Sequence, residues 1–342
     1  MMHNAPPRIG SLPSGQRDAI TDVAGITVGH TTLADGDVQT GVTVIHPHAL
    51  DPFQHKLPAA AAIINGFGKS VGLMQLTELG QLETPIALTN TFSVHAVAQA
   101  QIAQCARTNP EIGRELSTVN ALVLECNDGY LNDIQHMAVT AQHYEQACTY
   151  AGVDVAQGAV GAGRGMSSFQ LKGGIGTASR CVTIGAAHYT VGALVLANYG
   201  VQANLLWGGE PLGQRLAAQQ PATVEKGSII MVLATDAPLD SRQLGRLALR
   251  AAAGLARTGS VYGHGSGDIA VAFSTAYTLP QAPDAPMPAV AMVHEAKLDG
   301  LFQAAADSVE QSIIHALWYA EPVTGRNGHH RATLREVINQ KK

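Results

Sequence analysis

Charged residues are scarce in this chain. Asp, Glu, Lys and Arg together make up 14% of it, and no run of Lys or Arg occurs. With 21 basic and 26 acidic residues the net charge is −5, so the basic footprint of a nucleic-acid binder is missing and no nucleic-acid partner is expected. No apolar run approaches the roughly 20 residues a bilayer-spanning helix needs. Met1–Gly10 lacks the charged-then-apolar order of a secretory signal. The expectation is a soluble, cytoplasmic protein with no membrane partner. Cys105, Cys126, Cys148 and Cys181 stand far apart without a CxxC pair and read as reduced core cysteines.

Several chemistry-bearing motifs are missing as well. Gly68-Lys69-Ser70 imitates the end of a phosphate loop, but the first glycine of that motif would fall on Ile63. The glycine-dense segments Gly158–Met166 and Lys172–Gly176 lack the GxGxxG order of a dinucleotide site. Around Ser266 the positions that a GxSxG elbow fills with glycine hold His264 and Asp268. His46 and His48 have no third ligand nearby at metal-binding spacing. No cofactor and no metal are expected.

What the chain does have is glycine, 36 residues, and hydrophobic side chains, 46% of the total. That describes a heavily buried body with many tight turns, some of its surface covered by other copies of itself. The most informative stretch is Glu225–Asp236. A polar approach ends at Gly227-Ser228 and the apolar run Ile229–Ala234 follows at once, which predicts a buried strand with Ser228 at its first position. Gly227 leaves the carbonyl before Ser228 unshielded by any Cβ. A hydroxyl there can attack that carbonyl, cut the chain and become an N-terminal serine activated by its own amine. The plainer reading of the same residues is a turn before a strand.

Taken in order, residues 1–16 read as a loose arm and Gly41–Ile45 as the returning strand of a hairpin or meander. Ala59–Ile64 reads as a buried strand, and Val71–Leu82 and Thr91–Ala106 as helices. The strand Ala121–Leu124 runs into the polar cluster Glu125–Asp133, where Asn127-Asp128-Gly129 is either turn chemistry or a ligand loop. Residues 134–156 look helical, and Cys181–Gly185 and Tyr189–Asn198 look like strands. Gln202–Lys226 reads as an exposed linker. A helix capped by Asp240 or Ser241 follows, then the strand Ile269–Phe273 behind Ser266 and Asp268. Ala289–Val293 reads as a strand, Glu295–Tyr319 as a long amphipathic helix, and the tail beyond Glu321 as peripheral.

Considered together, these segments resemble the DmpA-type self-processing serine aminopeptidases, the group of L-aminopeptidase/D-Ala-esterases and β-peptidyl aminopeptidases. The resemblance runs from Ile20–Val23 and Val28–His30, through Asn127–Asp133, Gly161–Gly163 and Lys172–Gly176, to Gly227–Ile230, Ala234–Pro238, Ala256–Ser260 and Gly265–Asp268. It implies one α+β domain spanning 1–342, a four-layer αββα sandwich similar to but distinct from the N-terminal nucleophile hydrolases. It implies cleavage between Gly227 and Ser228 into an α chain, 1–227, and a β chain, 228–342. It further implies a homo-oligomer, a tetramer of processed αβ units, that removes the N-terminal residue from short peptides, amides or esters with a free amine, some members accepting D-alanyl or β-amino acid residues. Ser228 matches the nucleophile, Ser266 and Asp268 its partners, with aspartate where some members carry glutamate. Asn198 matches the amide that stabilises the oxyanion and Glu125 the acid that holds the substrate ammonium. The family's oxyanion tyrosine falls on Asn127, with Tyr130 the nearest tyrosine, and the choice among Asn127, Tyr130 or neither stays open. Two rival readings share these residues: an acyltransferase on the same scaffold, and an uncleaved oligomer that binds metabolites without catalysis.

Overall fold

The computed structural model describes residues 5–216 and 226–340. Its main strands are β1 (Thr27–Asp35), β2 (Val38–His46), β3 (His55–Gly66), β4 (Ile86–Asn90), β5 (Leu122–Cys126), β6 (Gly174–Ile184), β7 (Ala187–Asn198), β8 (Lys226–Thr235) and β9 (Gly265–Ser274). Its main helices are α1 (Leu73–Leu79), α2 (Val94–Thr108), α3 (Ala141–Thr149), α4 (Ser241–Leu249), α5 (Ala251–Ala256) and α6 (Asp299–Trp318).

The strands form two sheets. One runs β1-β2-β4-β5, antiparallel except for the parallel pair β4-β5. The other runs β3-β9-β8-β7-β6, antiparallel except for β8-β9, with short strands added beside β3. Alternation along β8 explains the stacking. Ile229, Met231 and Leu233 face one apolar cluster with α4, α5 and α6, while Ile230, Val232 and Ala234 face a second cluster shared with Ile45, Leu88 and Leu124 of the first sheet. A strand buried on both faces reads as one unbroken apolar run, which is why 229–234 was so legible. Val42, Val44, Ala87 and Val123 turn the other way, into a third cluster with α2 and α3. Three cores separate four layers in the order helix, sheet, sheet, helix, and the architecture is the expected αββα α+β fold. No helix among the described residues is long and apolar enough to cross a membrane.

Several expectations are revised. The N-terminal arm is docked: Ile9 is buried, its N–H donates to Gln311 Oε1 at 2.8 Å and its carbonyl accepts from the buried Arg180 guanidinium. Of the supposed linker, 202–216 is packed down by Gln202, Leu205, Trp207, Leu212 and Leu216, and 217–225 lies outside the described residues. Residues 134–156 hold only the short helix α3 and a single 3-10 turn. Ala289–Val293 forms no strand, because Pro286 and Pro288 remove donors beside it and, among the described residues, only Val293 finds a backbone acceptor, Pro238 O. The outer end of β3 is open to solvent at Ile63, 61% exposed. The helix 295–319 is α6, and it is not amphipathic: Leu301 and Phe302 and then every residue from Ala304 to Leu317 are buried beneath its neighbours. It lies so close on β6 that a Cβ on Gly176 would stand 1.8 Å from Ser312 O. The glycine-dense 173–176 is therefore the start of a strand under a helix, where only glycine leaves room. The tail is not peripheral either. Leu334 and Thr333 are buried, and a strand pair of Val323–Thr324 with His330–Arg331 folds it back over the Asn127–Asp133 loop.

Candidate active site

Ser228 is the third residue of β8, two places deeper than expected, and the register does the assembly. It pairs with Asn198 at the end of antiparallel β7 on one side and with Gly267 of parallel β9 on the other. Three sequence-distant positions thus meet in one row across three adjacent strands. Ser228 is 5% exposed, and its Oγ accepts the Gly267 N–H at 3.1 Å. The peptide bond before it is pinned. Gly227 takes φ +133°, a conformation L side chains rarely adopt, and a Cβ there would sit 2.0 Å from Asn198 O.

Ser266 and Asp268 flank Gly267, and residues two apart share a strand face. Both are fully buried, and Ser266 Oγ donates to Asp268 Oδ1 at 2.5 Å, so the shorter aspartate side chain does reach this hydroxyl. The pairing of β9 with β3 shifts register between Asp268 and Ile269, an irregularity of the kind that re-aims side chains beside active sites. Asn65, at that irregularity, donates from Nδ2 to Gly263 O at 3.1 Å and also to Ser266 O, holding the loop that leads into the serine. Asn198 is 6% exposed and tied at both ends of its amide. Oδ1 accepts from Ser167 N at 2.8 Å, and Nδ2 donates to Asn127 O at 2.9 Å. That fixes which end donates and leaves the second Nδ2 hydrogen for another acceptor.

Glu125 sits near the end of β5, in the other sheet, 3% exposed. Its Oε1 accepts the Lys69 N–H at 2.8 Å and its Oε2 the Thr91 hydroxyl. No lysine or arginine pairs with it among the described residues. A buried carboxylate of that kind is an acceptor for a cation brought from outside. Cys126 beside it is buried, its thiol pushed well up by burial and by the nearby Glu125 and Asp268 carboxylates, which makes it inert.

The next loop is differently employed. Asn127 Oδ1 accepts from Gly129 N at 2.9 Å, an Asx turn, so its exposed side chain serves its own backbone while its carbonyl serves Asn198. Asp128 is buried, accepting from Thr40 Oγ1 at 2.6 Å and Asn132 Nδ2 at 3.0 Å, and burial raises its pKa to about 7. Tyr130 is 39% exposed and turned toward the tail: its ring stacks on His329 at 4.6 Å with Arg331 3.6 Å from its centroid. Arg331 Nε also donates to Ser167 Oγ at 3.2 Å, and Ser167 N is the group that holds Asn198. Ser167, His329 and Arg331 escape a reading of the sequence, because nothing local marks them and only the folded-back tail brings them in. Gly227, Ser228 and Asn198 meet through strand pairing, Ser266 and Asp268 stand on either side of Gly267, the partner of Ser228, Glu125 lies in the other sheet beside Lys69, and Asn127 and Tyr130 belong to the loop that follows Glu125. No group of three metal-ligating side chains occurs among the described residues.

Comparison with known proteins matches nearly the whole chain. The sequence model of peptidase family S58 matches residues 18–331. A β-peptidyl aminopeptidase, BapA, of Sphingosinicella xenopeptidilytica is 37% identical over 337 residues, covering 92% of this chain and 83% of its own. The crystal structure of the PH0078 protein from Pyrococcus horikoshii OT3 superposes with a TM-score of 0.92 at 44% identity, covering 98% of this chain and 97% of that one. The L-aminopeptidase D-Ala-esterase/amidase of Ochrobactrum anthropi, described as a prototype for the serine aminopeptidases and a new variant of the Ntn hydrolase fold, superposes with a TM-score of 0.88 at 34% identity, covering 97% and 96%. With a serine held at the head of the central strand and nearly the whole chain matched, this protein belongs to peptidase family S58 and is a serine aminopeptidase.

Proposed function

We propose that the chain cuts itself between Gly227 and Ser228, giving an α chain 1–227 and a β chain 228–342. The freed Ser228 then hydrolyses the N-terminal residue of short peptides, amides or esters through an acyl-enzyme. The observation that carries this reading is the row Asn198–Ser228–Gly267, in which a buried hydroxyl on rigid strand backbone adjoins a pinned glycine peptide. In the first reaction Ser228 Oγ adds to the Gly227 carbonyl, its proton passes to the departing Ser228 nitrogen, and water cleaves the resulting ester. Gly227 is left as a carboxylate and Ser228 as a free amine.

In turnover that amine, with an unperturbed pKa of about 7.7–8.0, accepts the Oγ proton as Oγ attacks the substrate carbonyl. Ser266, hydrogen-bonded to Asp268, orients the nucleophile, and the proton taken up by the Ser228 amine then passes to the leaving amine. The second Nδ2 hydrogen of Asn198 faces the oxyanion. Water then releases the acyl group. Glu125 takes the substrate ammonium, and an analogue lacking that amine would leave a buried carboxylate unpaired, which is why the activity is restricted to N-termini. Tyr130, stacked under His329 and Arg331, and Asn127, turned onto Gly129, shape the loop beside Asn198.

The names of the relatives favour β-aminoacyl and D-alanyl substrates beside L-aminoacyl ones. Exposed Ile63, Met74 and Leu79 favour a homo-oligomer, a tetramer of processed units, and four free cysteines favour a cytoplasmic setting. A panel of L-, D- and β-aminoacyl p-nitroanilides and amides tests the substrate class, with turnover expected for wild type and none for Ser228→Ala. Wild-type protein inert on the whole panel would refute it.

A further inference from the structure

One wall between Ser228 and Glu125 is a single short crossing of the chain, Phe67-Gly68-Lys69. At its start, a Cβ on Gly267 would stand 2.8 Å from Phe67 O and 3.1 Å from Ser228 Oγ, so that carbonyl and the nucleophile flank the same point. At its far end, Lys69 N donates to Glu125 Oε1 at 2.8 Å. A substrate with its carbonyl at Ser228 and its ammonium at Glu125 lies along this crossing. Gly68 adds no side chain there, and a Cβ would be 3.6 Å from Glu125 Oε1.

The two residues beside Gly68 do build a rim. Phe67 is 53% exposed, Lys69 Nζ lies 4.1 Å from its ring centroid, and the His264 ring is tilted against it at 6.1 Å. Attraction to the ring face holds the ammonium in place without spending it on an anion. Lys69 enters no ion pair among the described residues. A cation poised at the mouth of a site whose floor is an unpaired carboxylate matches a molecule with charges at both ends.

We propose that Lys69 binds the terminal carboxylate of the substrate, so that the enzyme favours dipeptides with a free C-terminus over the same dipeptides amidated; this rests on the assignment of Ser228 and Glu125 above. Two extended residues span at most roughly 7 Å, which keeps the two ends of a dipeptide within the compass of one residue. The Lys69 backbone steadies the acceptor of the substrate ammonium, and its side chain receives the opposite end. Longer peptides carry their carboxylate past the rim and gain nothing from it.

The test is kcat/KM for one dipeptide as free acid and as C-terminal amide, in wild type, Lys69→Met and Lys69→Glu, with chain cleavage followed by mass in each. The wild type is expected to favour the acid about three- to tenfold, mainly through KM, and less at high salt. The ratio falls to near one in Lys69→Met and below one in Lys69→Glu. A wild type that hydrolyses both forms equally, or variants that keep the wild-type ratio, would overturn the role of Lys69 and leave the aminopeptidase reading intact. A wild type that hydrolyses neither form overturns both. The wild-type ratio and its salt dependence decide the matter even where a variant fails to fold.

Discussion

The ends of the two sheets meet at the site but are built in different ways. In the second sheet, strand pairing places the backbones of Asn198, Ser228 and Gly267, with Ser266 and Asp268 one residue to either side of Gly267. In the first sheet only Glu125 is on a strand, and the residues after it are held by an Asx turn, by the buried Asp128 and by the returning tail. Backbone ladders resist displacement, whereas side-chain clamps adjust. The proposed mechanism puts bond-making chemistry on the rigid side and substrate recognition on the adaptable one, and on that proposal substitutions on the two sides should separate kcat from KM.

The largest effect is expected from Ser228→Ala, which should leave one uncut chain and lower kcat by on the order of 10⁴ or more, read by mass and by turnover. Asn198→Ala should lower kcat by about 10²–10³ with KM little changed if its second donor acts on the oxyanion as proposed. On the opposite side, Glu125→Gln should act mainly on KM for amine-bearing substrates, by about 30-fold or more, because a paired buried charge is lost. Equal losses of kcat and KM in both variants would erase the proposed division.

Asp128→Asn sharpens the same comparison through stability. A carboxyl whose folded pKa is raised to about 7 binds its proton more tightly in the folded state. The wild type therefore loses stability as pH rises from about 4 through about 7, and the asparagine variant does not. Relative to wild type, Asp128→Asn should gain up to about 4 kcal/mol across that window, as three pKa units at about 1.4 kcal/mol each. His30, whose pKa burial lowers to about 4, pulls the wild type the other way between about 4 and 6.5, so the difference between the two proteins is the quantity to measure. Parallel melting curves from pH 4 to 8 would show that Asp128 is not the group responsible.

The sequence made some of this legible and not the rest, for physical reasons. The run Ile229–Ala234 and the cap at Asp240, which accepts from Gln243 N at 2.7 Å, are local signals and survive folding. The row that joins Asn198, Ser228 and Gly267 spans three separate segments, and no spacing rule brings them together. Only the family resemblance suggested it. The arm and the tail misled because their polar, glycine- and proline-rich composition resembles solvent-exposed chain. What holds them down is contact with Arg180 and Gln311 in one case and, in the other, packing of Val323 against Leu131 and Ala159 and of Leu334 in the core around α6. For α6, burial on all sides removed the stripe that would distinguish an exposed face.

The central claim is that Ser228 becomes a chain terminus before it becomes a catalyst. Intact mass of the purified active protein tests this directly, and the account predicts two polypeptides, the smaller spanning 228–342 and beginning with an unblocked serine. A fully active preparation consisting of one unbroken chain through residues 227 and 228 would contradict it.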